Sequence, residues 1–282
     1  MSGFSWTYTK RSNYRCPNCG QLRANRFENP ATKEIAPERF AKCNRVNKCG
    51  YELRPDKPEH EIKHEPKPEP VLQPFFMPEN WVAENRGEIS KNILYAALCK
   101  IFYYKKVKEA FEKYNVCTDK YGATIFPQLD QKNRCRTAKK IIYMSNGKRN
   151  KQYGASFLHH KNGFKPEKHA LKQCLFGEHL ITLQTKKIVV VESEKTAVIC
   201  EVCRKEPDTV IVATGGLENL AFLLRCKIEK NQEIVLIPDN AAEQKWQTKI
   251  EKLGINGKIK PVPEIPELGK GYDIADVLIL KA

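Results

Sequence analysis

Two apolar stretches, Lys187-Ile-Val-Val-Val-Glu192 and Ile234-Val-Leu-Ile-Pro-Asp239, decide how the C-terminal part of the chain folds. Short apolar runs of this kind are typical of strands buried on both faces of a parallel sheet. Each run ends at a carboxylate, and the carboxyl ends of parallel strands form the ligand crevice of an open sheet. The two stretches therefore predict an acidic crevice that suits a divalent metal ion and, in a basic chain, a polyphosphate or nucleic-acid ligand.

The surrounding sequence extends this pattern into alternating strands and helices. We predict strands at 188–192, 209–213, 234–238 and weakly at 258–262, and helices at 195–204, 217–226, 241–253 and 273–280. This alternation indicates βαβ crossovers and a mainly parallel sheet. Upstream, Ser90 to Tyr114 is predicted to be helical, as one helix or two, with Ser90 as the N-cap and an apolar stripe from Ile93 to Phe102. A two-strand pattern follows at 123–143.

The charge of the chain points to a polyanionic partner. The 282 residues have a formal net charge of +16, and residues 100–175 contain 18 Lys and Arg against 5 Asp and Glu. Aromatic and β-branched side chains are interleaved with these charges, which favours a folded surface that binds single-stranded DNA or another nucleic acid. The candidate phosphate-contacting residues are Lys132, Arg134, Arg136, Lys139, Lys140, Lys148 and Arg149.

Cysteine usage indicates a metal site in a reducing compartment. The chain has 11 cysteines, no signal peptide and no apolar run near the ~18 residues of a membrane span, so we expect a cytoplasmic protein without a membrane partner. Near the N-terminus the cysteines are paired as C-x2-C and C-x5-C, and four thiolates suit a closed structural zinc site. The predicted Zn²⁺ ligands are Cys16, Cys19, Cys43 and Cys49.

The ordered set of acids resembles the Toprim domain shared by bacterial-type primases, topoisomerases and some nucleases. In that family a strand-ending Glu and a later Asp-x-Asp bind magnesium, and Glu192 and Asp239 match the Glu and the first Asp. The resemblance implies that Glu192, Lys195 and Asp239 are catalytic, with Mg²⁺ or Mn²⁺ held by the two acids. It also implies nucleoside triphosphates as substrates and a separate helicase as a partner.

The resemblance has one departure, because Ala241 stands where the second Asp belongs. Losing a carboxylate weakens a two-metal arrangement. The acids available to supplement the site are Glu243, Asp273 and Asp276.

More closely, the chain resembles a family of uncharacterised primase-like proteins of bacterial genomes and mobile elements. The matching stretches include Cys16-Pro-Asn-Cys19-Gly20, Gln173-Cys174-Leu-Phe-Gly177 and Val191-Glu192-Ser-Glu194-Lys195. This implies an α+β protein with an α/β C-terminal part. Composition separates a Cys-rich region (1–54) from the rest of the chain by a segment (55–78) with seven prolines among alternating Lys and Glu, which predicts an extended Pro-rich linker. The resemblance implies that the other regions are a zinc-ribbon-like module (1–54), a primase-like basic subdomain (79–185) and a Toprim parallel sheet flanked by helices (186–282).

Three functions are compatible with these features. The first is metal-dependent primer synthesis on single-stranded DNA for replication of a mobile element. The second is a degenerate Toprim protein that binds DNA as a replication accessory, which Ala241 favours. The third is a metal-dependent nuclease that uses the same acids. A small-nucleotide-binding protein has weaker support, from the Gly215-Gly216 turn alone.

Overall fold

The computed structural model describes residues 5–10, 13–62 and 72–282, and the chain divides into two units, Met1–Val71 and Leu72–Ala282. The first unit is an antiparallel sheet in the order β1-β3-β4-β5-β6, with β2 also paired to β3. Its strands are β1 (Thr7–Tyr8), β2 (Tyr14–Arg15), β3 (Leu22–Glu28), β4 (Ala41–Cys43), β5 (Glu52–Arg54) and β6 (Lys57–Ile62). Its small core combines Phe27, Phe40 and Tyr51 with buried cysteines.

Strand β6 lies inside the segment predicted to be an extended linker. It pairs antiparallel with β5, so the linker prediction is wrong for Lys57–Ile62. The physical reason is that these backbone groups hydrogen-bond to the exposed edge of β5, which the proline content alone did not reveal. Residues 63–71 of the predicted linker lie outside the described residues.

The second unit begins with short helices and an antiparallel sheet. The helices are α1 (Trp81–Glu84), α2 (Ile93–Leu98) and α3 (Tyr104–Lys113). The sheet has the order β11-β10-β9-β8, and its strands are β8 (Cys117–Thr118), β9 (Thr124–Leu129), β10 (Cys135–Ile141) and β11 (Ser156–Phe157). A parallel pair joins β7 (Gln73–Pro74) to β12 (His169–Ala170).

The N-cap predicted at Ser90 is wrong. Ser90 lies in a 3-10 turn, Ile89–Lys91, and the helix α2 that follows is capped by Asn92. The Asn92 side chain accepts a hydrogen bond from the Tyr95 amide at 3.1 Å. It also donates to the Thr118 hydroxyl at 3.1 Å, so the cap is fixed by a tertiary contact that the local sequence pattern does not encode.

The C-terminal half of this unit is the predicted parallel sheet. Its order is β14-β13-β15-β16, and every pairing in it is parallel. The strands are β13 (Lys187–Val191), β14 (Thr209–Ala213), β15 (Glu233–Leu236) and β16 (Lys258–Ile259). The helices are α4 (Glu194–Val202), α5 (Glu243–Leu253) and α6 (Ile274–Leu280).

Both faces of the parallel sheet are covered, as the apolar runs require. Val191, Ile211 and Ala213 pack with α4 and the helices of the preceding half, whereas Ile188, Val190 and Leu236 pack against Trp246 and Ile250 of α5. The Tyr114 hydroxyl donates to the Ile211 carbonyl oxygen at 2.7 Å, which ties α3 to β14. Among the described residues, no helix combines the length and apolar character needed to cross a membrane.

Candidate functional site

The four cysteines predicted to bind zinc come together in the first unit. All four Sγ atoms lie within 4.8 Å of one another, with Cys16 3.8 Å from Cys49 and Cys19 3.9 Å from Cys43. Tetrahedral ligation at a Zn–S distance of about 2.3 Å separates the sulfur atoms by about 3.8 Å, so the thiolates fit a zinc ion. Three of the four residues are buried, as expected for a structural site.

Tight turns bring these thiols into place. Gly20 and Gly50 follow the second cysteine of each pair with φ of +69° and +59°, which glycine adopts without strain. In the wider C-x5-C loop, the amides of Cys49 and Gly50 both donate to the Arg45 carbonyl oxygen, at 2.8 and 3.2 Å. Burial opposes ionisation of Cys19, but hydrogen bonds from the Gln21 amide and neighbouring thiols lower its pKa to about 7.

A second candidate site lies at the carboxyl edge of the parallel sheet. Strands β13 and β15 are neighbours in register, with Val190 opposite Leu236. Glu192 follows the end of β13 and Asp239 follows the end of β15, so both acids reach the same edge. On its other side, β13 pairs with β14, and the turn Thr214-Gly215-Gly216 follows β14. The Gly215 amide donates to the Glu192 carbonyl oxygen at 2.7 Å, so this turn lies at the same edge.

Asp239 lies in a concentrated negative environment. Burial, followed by the charges of Glu192, Asp273 and Asp276, raises its pKa to about 7. The Asn240 amide donates to the Tyr272 carbonyl oxygen at 2.8 Å, which holds the start of α6, with Asp273 and Asp276, beside Asp239. Glu243, the first residue of α5, is not among the charges that raise this pKa.

The acids at the start of α6 are already engaged in hydrogen bonds. Asp273 and Asp276 form a capping box, in which each carboxylate accepts from the other's amide, at 3.1 and 3.0 Å. The second carboxylate oxygen of Asp273 accepts from the Thr196 hydroxyl of α4 at 2.5 Å. Thr196 could not be predicted as a site residue, because its partner Asp273 lies 77 positions away. The capping box itself has a recognisable signal, the Asp-x-x-Asp spacing before an apolar run.

Glu194 was also missed as part of the site. It is 1% exposed, and both of its carboxylate oxygens accept from Lys139 Nζ of β10, at 3.0 and 2.9 Å. A Cβ atom on Gly215 would lie 3.2 Å from Glu194 Oε1, so the glycine turn packs directly over the ion pair. Lys195, the next residue, is half-buried at the start of α4 and has no ion pair within the described ranges.

The predicted phosphate-contacting residues fall into two groups. In the first group, Arg134 and Arg136 share Asp130, Lys140 pairs with Asp119, and Lys139 is buried against Glu194. Its side chain is only 13% exposed, because the β10 register points it toward α4 rather than solvent. The residues left exposed, with no ion pair in the described part of the chain, are Lys132, Lys148 and Arg149.

The backbone at Ala241 has an unusual conformation. Its φ of +65° lies in the left-handed region, which favours Gly, Asn and Asp over Ala. The residue is exposed, two positions after Asp239. Among the described residues, the four cysteines are the one group of three or more His, Cys, Asp or Glu side chains close enough to hold a metal ion. The crevice acids are therefore not preassembled into a complete ligand set.

Comparison with known proteins adds a family to this description. Residues 3–65 match the family model of a zinc beta-ribbon finger, which agrees with the cysteine geometry of the first unit. No curated protein sequence matches the chain. Several solved structures that the chain resembles are structures of primases.

Three of these structures illustrate the likeness. The primase fragment of the bacteriophage T7 primase-helicase protein is 16% identical, with a TM-score of 0.44, over 98% of this chain and 99% of that one. A DNA primase domain from Pseudomonas aeruginosa is 13% identical, with a TM-score of 0.37, over 62% of this chain and 55% of that one. The Aquifex aeolicus primase is 14% identical, with a TM-score of 0.35, over 63% of this chain and 45% of that one.

A second family model covers α2, α3, α4, the antiparallel sheet and strands β13 to β15, and it does not include Asp273 or Asp276. It is described as Domain of unknown function (DUF6371), and it matches residues 92–240, from the N-cap of α2 to the residue after Asp239. This match includes more than half of the chain. The protein therefore belongs to the DUF6371 family.

Proposed function

We propose that this protein is a primase-like, Toprim-type nucleotidyltransferase that binds single-stranded DNA and synthesises primers for replication of a mobile element. The observation that carries the proposal is that Glu192 and Asp239 follow two neighbouring parallel strands and lie at the same carboxyl edge of the sheet. Burial and the charges of Glu192, Asp273 and Asp276 also raise the pKa of Asp239 to about 7. Acids collected at a sheet edge repel one another, and a divalent cation would relieve that repulsion. Metal sites for phosphoryl transfer use few carboxylates, completed by water and substrate phosphate.

The proposed roles follow from position. Glu192 and Asp239 would hold Mg²⁺ or Mn²⁺, with Asp276 as the supplementary acid, since it has one carboxylate oxygen without a hydrogen bond in the described structure. The bound cation would neutralise charge on the triphosphate of an incoming nucleotide. Lys195 offers an unpaired ammonium group beside the crevice, and the Gly215 turn lets backbone approach a ligand closely.

Template contacts are proposed for two surfaces. The exposed cations Lys132, Lys148 and Arg149 would contact phosphates, and the zinc module would hold single-stranded template. The proposed zinc, basic and Toprim modules are the regions predicted at 1–54, 79–185 and 186–282, with the zinc module extended through β6. A separate helicase remains part of the proposal, because a primer-synthesising enzyme needs single-stranded template.

A second candidate is a DNA-binding replication accessory without catalysis. Ala241 favours it, since the crevice lacks the carboxylate that an Asp at this position would add. In this function the zinc module and the basic surface would act alone. The acids would then contribute local structure, as the Asp273–Asp276 capping box already does.

Primer synthesis from labelled nucleotides on single-stranded templates, with Mg²⁺ or Mn²⁺, separates these functions. We expect products from the wild type, none from Glu192→Gln, and undiminished products from Glu233→Gln. Glu233 is a matched control, because it lies on β15 in an exposed ion pair with Lys258. Absence of product with intact DNA binding would favour the accessory, and metal-dependent template cleavage would favour a nuclease.

A further inference from the structure

A pair of adjacent tyrosines is exposed between α2 and α3. The side chains of Tyr103 and Tyr104 are 58% and 52% exposed, and their ring centroids lie 5.2 Å apart at an interplanar angle of 68°. Neither hydroxyl has a hydrogen-bond partner among the described residues. Two neighbouring aromatic rings that face solvent in this way leave a large apolar area uncovered.

The fold does not require these rings. The inner face of α3 is completed by Val107, Ala110 and Phe111, which are all buried in the core. Tyr103 and Tyr104 lie at the start of the helix, outside that buried face. Their exposure therefore points to a ligand rather than to packing within the unit.

Positive charge surrounds the tyrosines. Residues 91–108 contain five lysines and no Asp or Glu. Lys100, Lys105 and Lys106 are exposed and have no ion pair within the part of the chain that the structure describes. We call Lys100, Tyr103, Tyr104, Lys105 and Lys106 the tyrosine–lysine patch.

We propose that the tyrosine–lysine patch is a second binding surface for single-stranded nucleic acid, in which bases stack on the two rings and the lysines contact phosphates. Aromatic rings and unpaired cations together match the two chemical parts of a single strand. An acidic protein would satisfy the lysines, but it would leave the adjacent rings without a specific role. The inference rests on nucleic acid as the ligand class of the proposed function and adds a site that this function does not require.

The patch adjoins the surface already proposed to contact phosphates. A Cβ atom on Gly147 would lie 3.5 Å from the Ala97 Cβ, so the turn that precedes Lys148 and Arg149 packs on α2. Helix α2 leads directly through Lys100 to the tyrosines. A single nucleic-acid strand bound at Lys148 and Arg149 could therefore continue onto the tyrosine–lysine patch. Oligonucleotides long enough to reach the patch should bind more tightly than shorter ones.

Binding of fluorescent oligothymidylates of increasing length to the full-length protein tests this proposal. Replacement of both rings by leucine (Y103L/Y104L) keeps apolar area but removes stacking, and should weaken binding of long oligomers by about tenfold or more, because no ring remains for a base to stack on. The matched variant Y103F/Y104F should bind like the wild type. Leu183→Ala, which removes another exposed apolar side chain, should also have no effect.

The outcomes separate this inference from the proposed function. If the wild type binds but Y103L/Y104L binds equally well at every length, the patch proposal is overturned and the ligand class stands. If the wild type binds no single strand, both fail. Circular dichroism of both double variants shows whether a loss arises from unfolding; a loss of binding confined to folded Y103L/Y104L supports the patch.

Discussion

Lys139 Nζ lies 2.9 Å from Glu194 Oε2 in a buried ion pair that connects β10 of the antiparallel sheet to the first residue of α4. The two side chains are 13% and 2% exposed. Because Glu194 is two residues from Glu192, the pair holds the hairpin of β9 and β10 against the edge of the parallel sheet where Glu192 and Asp239 lie. Lys139, which the sequence suggests for nucleic-acid contact, is thus held in a buried pair beside the candidate site.

Breaking this pair from one side should destabilise the second unit strongly. Lys139→Met leaves a buried carboxylate without its partner, which typically costs about 3–5 kcal/mol of unfolding free energy. Urea unfolding followed by circular dichroism measures the change. The control is Lys187→Met, whose partner Glu206 is exposed, so a much smaller loss is expected. Equal effects of the two substitutions would contradict the structural role of the buried pair.

Much of the parallel sheet could be predicted because its signal is local. The strand predicted at 209–213 coincides with β14, and the helix predicted at 195–204 corresponds to α4. The segment predicted as helix 217–226 is a 3-10 helix at Leu217–Arg225 instead. Its leucines at 217, 220 and 223 repeat every three residues and pack on the sheet, which suits the three-residue turn of a 3-10 helix.

The candidate site was less predictable, since its contacts join distant parts of the chain. The zinc ligands could be identified from their paired spacing, and Glu192 and Asp239 from their positions after apolar runs. The Lys139–Glu194 pair spans 55 positions, and nothing in the sequence around either residue specifies the partner. The Thr196–Asp273 hydrogen bond spans 77 positions, so it could not be predicted from the local sequence either.

Zinc removal should unfold the first unit and leave the second folded. The core of the first unit is small and includes the cysteines, so metal binding is expected to supply much of its folding free energy. Chelation of the full chain should speed hydrogen exchange in β3 and β4 and leave β13 unchanged. Cys43→Ser should reproduce this effect and lose the zinc, whereas Cys203→Ser should retain about one ion per chain. Unchanged exchange in β3 after chelation would rule out a structural zinc.

The raised pKa of Asp239 predicts a characteristic pH dependence. Its value of about 7 exceeds the roughly 3.9 of an unfolded Asp, so between these values the folded state binds the proton more tightly. The contribution of Asp239 to stability without metal should therefore fall as pH rises from about 4 to about 7. Mg²⁺ binding needs the carboxylate and should strengthen as pH rises through about 7.

Thermal unfolding at several pH values, with and without Mg²⁺, measures both effects. The stabilisation by Mg²⁺ should be small below the pKa of Asp239 and large above it. Asp239→Asn should remove this pH dependence, and Asp208→Asn, at an exposed surface pair with Lys186, should retain it. A magnesium effect that is equally large at every pH would show that Asp239 is not the titrating ligand.

The affinity for nucleic acid should fall as salt rises, and the slope should grow with the number of exposed cations that contact phosphates. Lys148→Ala with Arg149→Ala should lower affinity for all sequences alike and reduce the slope of log affinity against log salt by about 1–2. Fluorescence anisotropy over a salt series measures this slope. Lys230→Ala, at another exposed lysine without an ion pair in the described residues, is the control and should leave the slope unchanged. A salt-independent affinity of the wild type would exclude phosphate contacts as the main source of binding.

Restoring an acid at position 241 should strengthen the metal site without disturbing the fold. Ala241 has a φ of +65°, a conformation that Asp and Asn adopt more readily than Ala, so Ala241→Asp and Ala241→Asn should both fold. The Asp variant adds a carboxylate two residues after Asp239, and we expect Mg²⁺ affinity to rise by about tenfold, with a matching rise in primer synthesis. The Asn variant has the same shape and backbone preference but no charge, so it should behave like the wild type. Calorimetric Mg²⁺ titration of the three proteins makes the comparison, and equal affinities would mean that residue 241 does not face the crevice.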